Sequence, residues 1–220
     1  MAIESGLAIG CSDLQSAGGI KNVLIREWNS PSGADTVTFN HTANNFKCTT
    51  IKNSHGTATQ AVWGVYESQI ERSSLTVTGT NENKNFTTYE CVLSLFLPKI
   101  DATKLLRLQE LTGKCLMVLV VDSNTTLPAV GAAPVAGESQ ALLIGASSKF
   151  SNLDDQARSQ TWARIASIEG GTGAAFSDED GVTLNITCTQ YELPNPYIPA
   201  GTGTTDGLRI GATGLTATTT

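Results

Sequence analysis

The residues able to do chemistry in this chain are few and far apart. It holds two histidines, His41 and His55, and five cysteines, Cys11, Cys48, Cys91, Cys115 and Cys188. A zinc site needs about four His or Cys ligands brought together, usually from short paired spacings. No Cys-x-x-Cys occurs, and the cysteine total is odd. Three of the cysteines fall inside apolar strand patterns, where a small buried side chain is the expected role. Both histidines read as members of polar loops in the first quarter of the chain, away from any Ser and Asp with which they would form a nucleophilic triad. Asp154 and Asp155 are adjacent, so their carboxylates do not face one another, and a place at a helix start suits them better than acid–base work. Asp178-Glu-Asp-Gly181 opens like a calcium-binding loop but lacks the later Glu, and Thr183 and Asn185 are poor replacements. Gly170-Gly-Thr-Gly173 and Gly201-Thr-Gly203 have neither the lysine of a phosphate-binding loop nor dinucleotide spacing. Asn40, Asn85, Asn124 and Asn185 each begin an Asn-x-Thr triplet, which a Thr-rich chain produces by coincidence. The expectation is no catalytic residue, no metal and no cofactor.

The elements that carry these residues centre on 87–122. Thr87–Phe96 alternates, Cys91, Leu93 and Leu95 against Val92, Ser94 and Phe96, as a half-buried strand does. Pro98 interrupts it, and Asp101 is placed to cap a helix over about 101–112. Ala102, Leu105, Leu108 and Leu111 share one helix face, with Leu106 widening it. Gly113 suits the residue past the helix end. Cys115–Val121 is an unbroken apolar run, the pattern of a strand buried on both faces.

Elsewhere the patterns are β. Ile20–Trp28, Thr36–Phe39, Phe46–Lys52 and Ala141–Ser147 read as strands, and Thr57–Ile70 as a strand carrying Trp63 and Tyr66. Ser73–Phe96 reads as a hairpin turning at Asn81–Asn85. Ser151–Ile168 reads as a helix to about residue 160, then a strand. Val182–Tyr191 alternates most cleanly, with Val182, Leu184, Ile186 and Cys188 on one face. Ser123–Ser139 is a long Pro/Gly/Ala loop, and loops of that length in compact domains usually have a task. These patterns predict a mainly β chain: a β-sandwich or barrel-like domain over 20–194 with one packed α-helix, an N-terminal arm over 1–19 and a C-terminal arm over 195–220.

Composition narrows the function. The chain is 40% hydrophobic and only 15% charged. Thr makes up about one residue in eight and fits pleated, half-buried surfaces. A net charge of −6 and a pI ≈ 4.9 argue against a phosphate-binding groove. The start of the sequence lacks the basic, apolar pattern of a signal peptide, and no stretch reads as a membrane span; a reducing cytoplasm is the expected place of synthesis.

In three respects the chain resembles the tail tube (major tail) proteins of double-stranded DNA tailed bacteriophages. It has one helix between two long strands, 87–122; a long Ala/Gly/Pro loop, 123–139, placed like a stacking loop; and a late strand region, Gly173–Cys188, similar to that of phage structural proteins. Gly18-Gly-Ile-Lys-Asn-Val23 adds to the likeness. The resemblance implies a homohexameric ring, rings stacked into a tube, and DNA passing through without specific binding. It implies a place in the virion tail beside other tail proteins, after synthesis in the host cytoplasm. Pro128, Val130, Pro134 and Val135 are then the expected ring-stacking residues, and Asp178, Glu179 and Asp180 the expected acidic lining of the lumen. The alternatives are another phage structural protein (tail terminator, ring or capsid decoration protein) and a carbohydrate-binding β-sandwich module. The last requires exposed aromatics, for which Trp28, Trp63, Trp162 and Tyr197 are the candidates.

Overall fold

The computed structural model describes residues 18–28, 36–42, 45–52, 63–68, 71–83, 86–99, 101–123, 125, 141–147, 161–171, 180–197, 207–211 and 214–218. In chain order these form β1 (Ile20–Glu27), β2 (Thr36–Thr42), β3 (Asn45–Lys52), β4 (Gly64–Glu67), β5 (Ser74–Asn83), β6 (Phe86–Pro98), α1 (Ala102–Leu111), β7 (Leu116–Asp122), β8 (Ala141–Ile144), β9 (Arg164–Gly171), β10 (Gly181–Gln190), β11 (Asn195–Tyr197), β12 (Gly207–Gly211) and β13 (Gly214–Thr218). The chain is mainly β, as its patterns predict. A seven-stranded sheet runs β2-β3-β11-β8-β7-β1-β4, a four-stranded sheet runs β5-β6-β10-β9, and β12 and β13 pair in a separate hairpin.

The two sheets face each other across one core. From the smaller sheet, the inward halves of two alternating strands meet in register: Val182↔Leu97, Leu184↔Leu95, Ile186↔Leu93 and Cys188↔Cys91. From the larger sheet come Val23 and Ile25 of β1, Leu116, Val118 and Val120 of β7, and Ile144 of β8. The unbroken apolar run of β7 is explained by the opposite face. There Met117, Leu119 and Val121 enter a second cluster with Leu24, Trp28, Cys48, Ile51, Trp63, Leu143 and Tyr197. The larger sheet is thus packed on both sides at its centre, and burying each large aliphatic side chain stabilises by roughly 1.5–3 kcal/mol.

The helix crosses from β6 of one sheet to β7 of the other. Asp101 caps it as expected, its Oδ1 accepting the Lys104 N–H at 2.8 Å. Gly113 follows with φ +78°, the left-handed conformation that ends a helix without penalty for glycine. The predicted apolar face is only partly used. Leu108 is buried and Leu111 packs against the core, but Leu105 and Leu106 are 44% and 57% exposed, and Ala102 is exposed. A helix of three turns that meets the sandwich at one end has room for a single deep contact.

Three further expectations are corrected. Asn195–Tyr197 is no arm: β11 lies inside the larger sheet, antiparallel to β8 and parallel to β3, with Asn195 and Tyr197 buried. Pro194 ends one pattern, and the three residues after it are too few to show another. Gly170 and Gly171 are not a break, since they complete β9 opposite Val182 and Gly181. His41 belongs to β2 rather than to a loop. Within the strand expected over 57–70, Gly64–Glu67 forms β4, and 57–62 lie outside the described residues. The helix expected before residue 160 lies outside them.

Candidate functional site

The densest polar chemistry in the described residues is a buried seam between the ends of the two sheets. Gln190 is the last residue of β10 and continues its inward alternation, so an amide stands where the pattern asks for an apolar side chain. Its Oε1 accepts the Gly145 N–H at 2.9 Å, just past β8, and its Nε2 donates to Glu192 O at 3.3 Å. The Glu192 carboxylate Oε1 accepts from Asn195 Nδ2 at 2.7 Å and from Ser147 Oγ at 3.2 Å. All four side chains are buried. Beside them Leu116 and Ala163 exchange backbone hydrogen bonds of 2.8 and 3.0 Å, tying β7 to the chain entering β9. Gly145 is required at this point. Its φ is +86°, and a Cβ there would stand 2.5 Å from Leu116 O and 2.9 Å from Ala163 N. A seam of this kind joins two sheets, because buried polar groups are stable only when paired. Its donors and acceptors are turned on one another, so its chemistry is cohesion rather than turnover.

Two thiols border the seam. Cys91 and Cys188 are buried and directly opposed, and the Cys188 sulfur lies 3.9 Å from Gln190 Oε1. A hydrogen bond from Cys188 lowers the Cys91 thiol pKa, while burial and the nearby Glu90 carboxylate raise it. The same hydrogen bond, then burial, pushes the Cys188 thiol far up. Near α1, burial raises the Tyr66 phenol, opposed by Arg107 and aided by Glu110.

The surfaces are of a different character. Sheet order leaves β5 and β9 as the edges of the smaller sheet among the described strands. Its outward face is hydroxyl- and amide-rich: one row runs Ser74–Ser94–Asn185–Ser167 and the next Thr76–Val92–Thr187–Arg164. Asn185 Nδ2 donates to Ser167 Oγ at 2.9 Å, so that amide is engaged within the sheet.

Of the aromatics that a sugar platform would need, Trp28, Trp63 and Tyr197 are buried in the second core. Trp162 is half-buried, its ring centroid 6.1 Å from that of Trp28, and Trp63 lies 6.0 Å from the buried Arg26 guanidinium. A cavity of ≈ 20 Å³ between Trp28, Trp162, Val37, Phe39 and Ser147 has room for about one water, too little for a sugar ring.

Of the expected site residues, only Asp180 falls among the described residues. Pro128, Val130, Pro134, Val135, Asp178 and Glu179 lie outside the described residues, as do Cys11, His55, Asp154 and Asp155. Asp180 is exposed just ahead of β10, and its carbonyl accepts the Lys99 N–H at 2.9 Å. Among the described residues no group of three His, Cys, Asp or Glu side chains is placed to hold a metal ion, and no helix is long and apolar enough to cross a membrane. Sequence reasoning missed Ser147, Gln190, Glu192 and Asn195. For Gln190 a signal existed, since it occupies the fifth inward position of a strand whose first four are apolar or Cys. Comparison of the chain with protein-family models, with curated proteins and with solved structures gives no match.

Proposed function

We infer that this chain is a structural subunit that assembles with copies of itself, of the tail tube type. The observation that carries this reading is that β5 and β9 are the edges of the smaller sheet among the described strands. β5 spans 10 residues with one charged side chain, Glu82, and β9 spans 8 with Arg164 and Glu169. A long, weakly charged edge offers unpaired N–H and C=O groups to another strand, and a lone protomer usually guards such an edge with charge, proline or a covering element. Joining β5 of one protomer to β9 of the next would satisfy both edges, and closure of the ring would leave none.

On this reading the rings are homohexamers stacked into a tube, with other tail proteins at its ends. The loop 123–139, with Pro128, Val130, Pro134 and Val135, supplies the stacking contacts. The net charge of −6 suits a conduit that DNA slides through without adhering, since like charge repels phosphate; Asp178, Glu179 and Asp180 are the proposed acidic lining. The protein would then reside in the virion tail.

Negative-stain microscopy of the purified chain tests the reading. Long tubes of constant bore are expected. Closed rings that never polymerise would instead place the chain with the terminator, ring or decoration proteins, and monomers at high concentration in every buffer would overturn both. Shortening 123–139 should leave a folded protomer that no longer stacks. Because β11 is part of the larger sheet, the truncation that removes the C-terminal arm while sparing the fold begins at Ile198.

A further inference from the structure

Cys91 of β6 and Cys188 of β10 face each other in an antiparallel ladder whose register is unbroken from Gly181↔Pro98 to Gln190↔Tyr89. Both belong to the inward alternation, so both side chains enter the core between the sheets. The ladder also fixes their separation. Lys99 N–H bonds to Asp180 O one step beyond the Gly181↔Pro98 pair. Counting back from there by twos makes Cys91/Cys188 a hydrogen-bonded pair, with Cα atoms about 5.5 Å apart. Disulfides form over Cα separations of roughly 4.4–6.8 Å.

The surroundings permit the remaining approach. Pairing of β9 with β10 ends at Thr187↔Arg164, so at Cys188 the strand is held by β6 alone among the described strands. Cys188 keeps 5% of its surface exposed and Cys91 none, so peroxide reaches the Cys91 sulfur only past Cys188, as the end of β10 opens, and a protein oxidant is excluded. The neighbouring Cys188 thiol lowers the Cys91 pKa while that of Cys188 itself is pushed up, which makes Cys91 the attacking group of the opposed pair.

We propose that Cys91 and Cys188 are a modification site at which hydrogen peroxide joins β6 to β10 through an inter-strand disulfide. The Cys91 sulfur attacks one peroxide oxygen, the O–O bond breaks, and hydroxide departs as water with the Cys91 proton, leaving a sulfenic acid. The Cys188 sulfur then attacks the Cys91 sulfur, the S–O bond breaks, and the hydroxyl leaves as water with the Cys188 proton. Two thiols lose two electrons and two protons, and one peroxide becomes two waters. Opposed Cβ atoms at a hydrogen-bonded pair stand farther apart than in a relaxed disulfide, so the strands are drawn together and the bond is readily reduced. The bond would lock the centre of the smaller sheet without touching either of its edges, and it stands or falls apart from the assembly reading.

The test uses the full chain, reduced with dithiothreitol and then exposed to hydrogen peroxide. After removal of peroxide, the protein is unfolded in N-ethylmaleimide, digested without reduction and mapped by mass spectrometry. The expected product is one joined pair of peptides containing Cys91 and Cys188, lighter by two hydrogens than their reduced sum, with Cys11, Cys48 and Cys115 carrying maleimide. The oxidised protein should melt at a higher temperature, and dithiothreitol should reverse both changes. Cys91→Ala and Cys188→Ala should each abolish the joined pair; where a variant fails to fold, the wild-type map decides alone. Recovery of Cys91 and Cys188 as separate maleimide adducts or separate sulfinic acids, or joined to other cysteines, would overturn the proposal.

Discussion

β7 and β10 are both central strands, yet they hold opposite positions in the molecule. Every residue of β7 from Leu116 to Val121 is buried, alternately in the core between the sheets and in the second core behind the larger sheet. β10 buries Val182, Leu184, Ile186, Cys188 and Gln190, and turns Thr183, Asn185, Thr187 and Thr189 outward. The difference separates two tasks. The larger sheet is interior on both faces at its centre and holds the fold together. The smaller sheet spends one face on the core and turns the other outward, and among the described strands β5 and β9 form its edges.

Neighbouring residues on each strand put this contrast under the most severe test. Aspartate at Val118 or at Leu119 should prevent folding, because a buried unpaired carboxylate costs several kcal/mol, about the whole stability of a domain. On β10, Leu184→Asp should do the same, while Thr187→Asp should change stability by less than about 0.5 kcal/mol. Soluble yield and thermal melts followed by circular dichroism read the result. A β7 variant that melts like wild type would dissolve the distinction between the strands.

Next in size is the junction where the sheets meet. Gly145→Ala forces a side chain into left-handed backbone against Leu116 O and should cost at least about 1–3 kcal/mol, seen as a lower denaturant midpoint at unchanged slope. Gln190→Leu should cost about 1–3 kcal/mol by leaving the Gly145 N–H without its acceptor. Wild-type stability in this variant would mean that the apolar pattern of β10 could run to its end without loss. The smallest effect is expected at the helix, where Asp101→Ala removes the cap and should cost about 1 kcal/mol. A larger loss would make the helix more than a crossover touching the core through Leu108.

How legible each region was in the sequence follows the same division. β6, β7 and β10 were readable because burial on one face or two leaves a period of two or an unbroken run. The cap at Asp101 and the glycine at 113 were readable because local backbone chemistry fixes them. The helix face was over-read: a stripe that includes Leu105 and Leu106 says which side is apolar, not how much of it finds a partner. β11 was illegible because three residues cannot display a period, and its place is set by β3 and β8, both far earlier in the chain. The seam was hidden for the related reason that Ser147, Gln190, Glu192 and Asn195 become one cluster only once the sheets have met. Of the expected site residues, Asp180 alone falls among the described residues, and the reading of the others rests on the resemblance.

The position of β11 also sets an order of events. β3 is joined to the rest of the larger sheet through Tyr197, which pairs with Cys48 on one side and Ala141 on the other. The β2–β3 hairpin can form early from local contacts, but it cannot be built into the sheet until Tyr197 has left the ribosome. Until then the nascent chain carries a strand edge awaiting its neighbour, and non-local pairing of this kind is slow. Folding of the larger sheet should finish only once Tyr197 is free to pair, and a truncation ahead of Asn195 should trap that waiting state as an aggregation-prone intermediate.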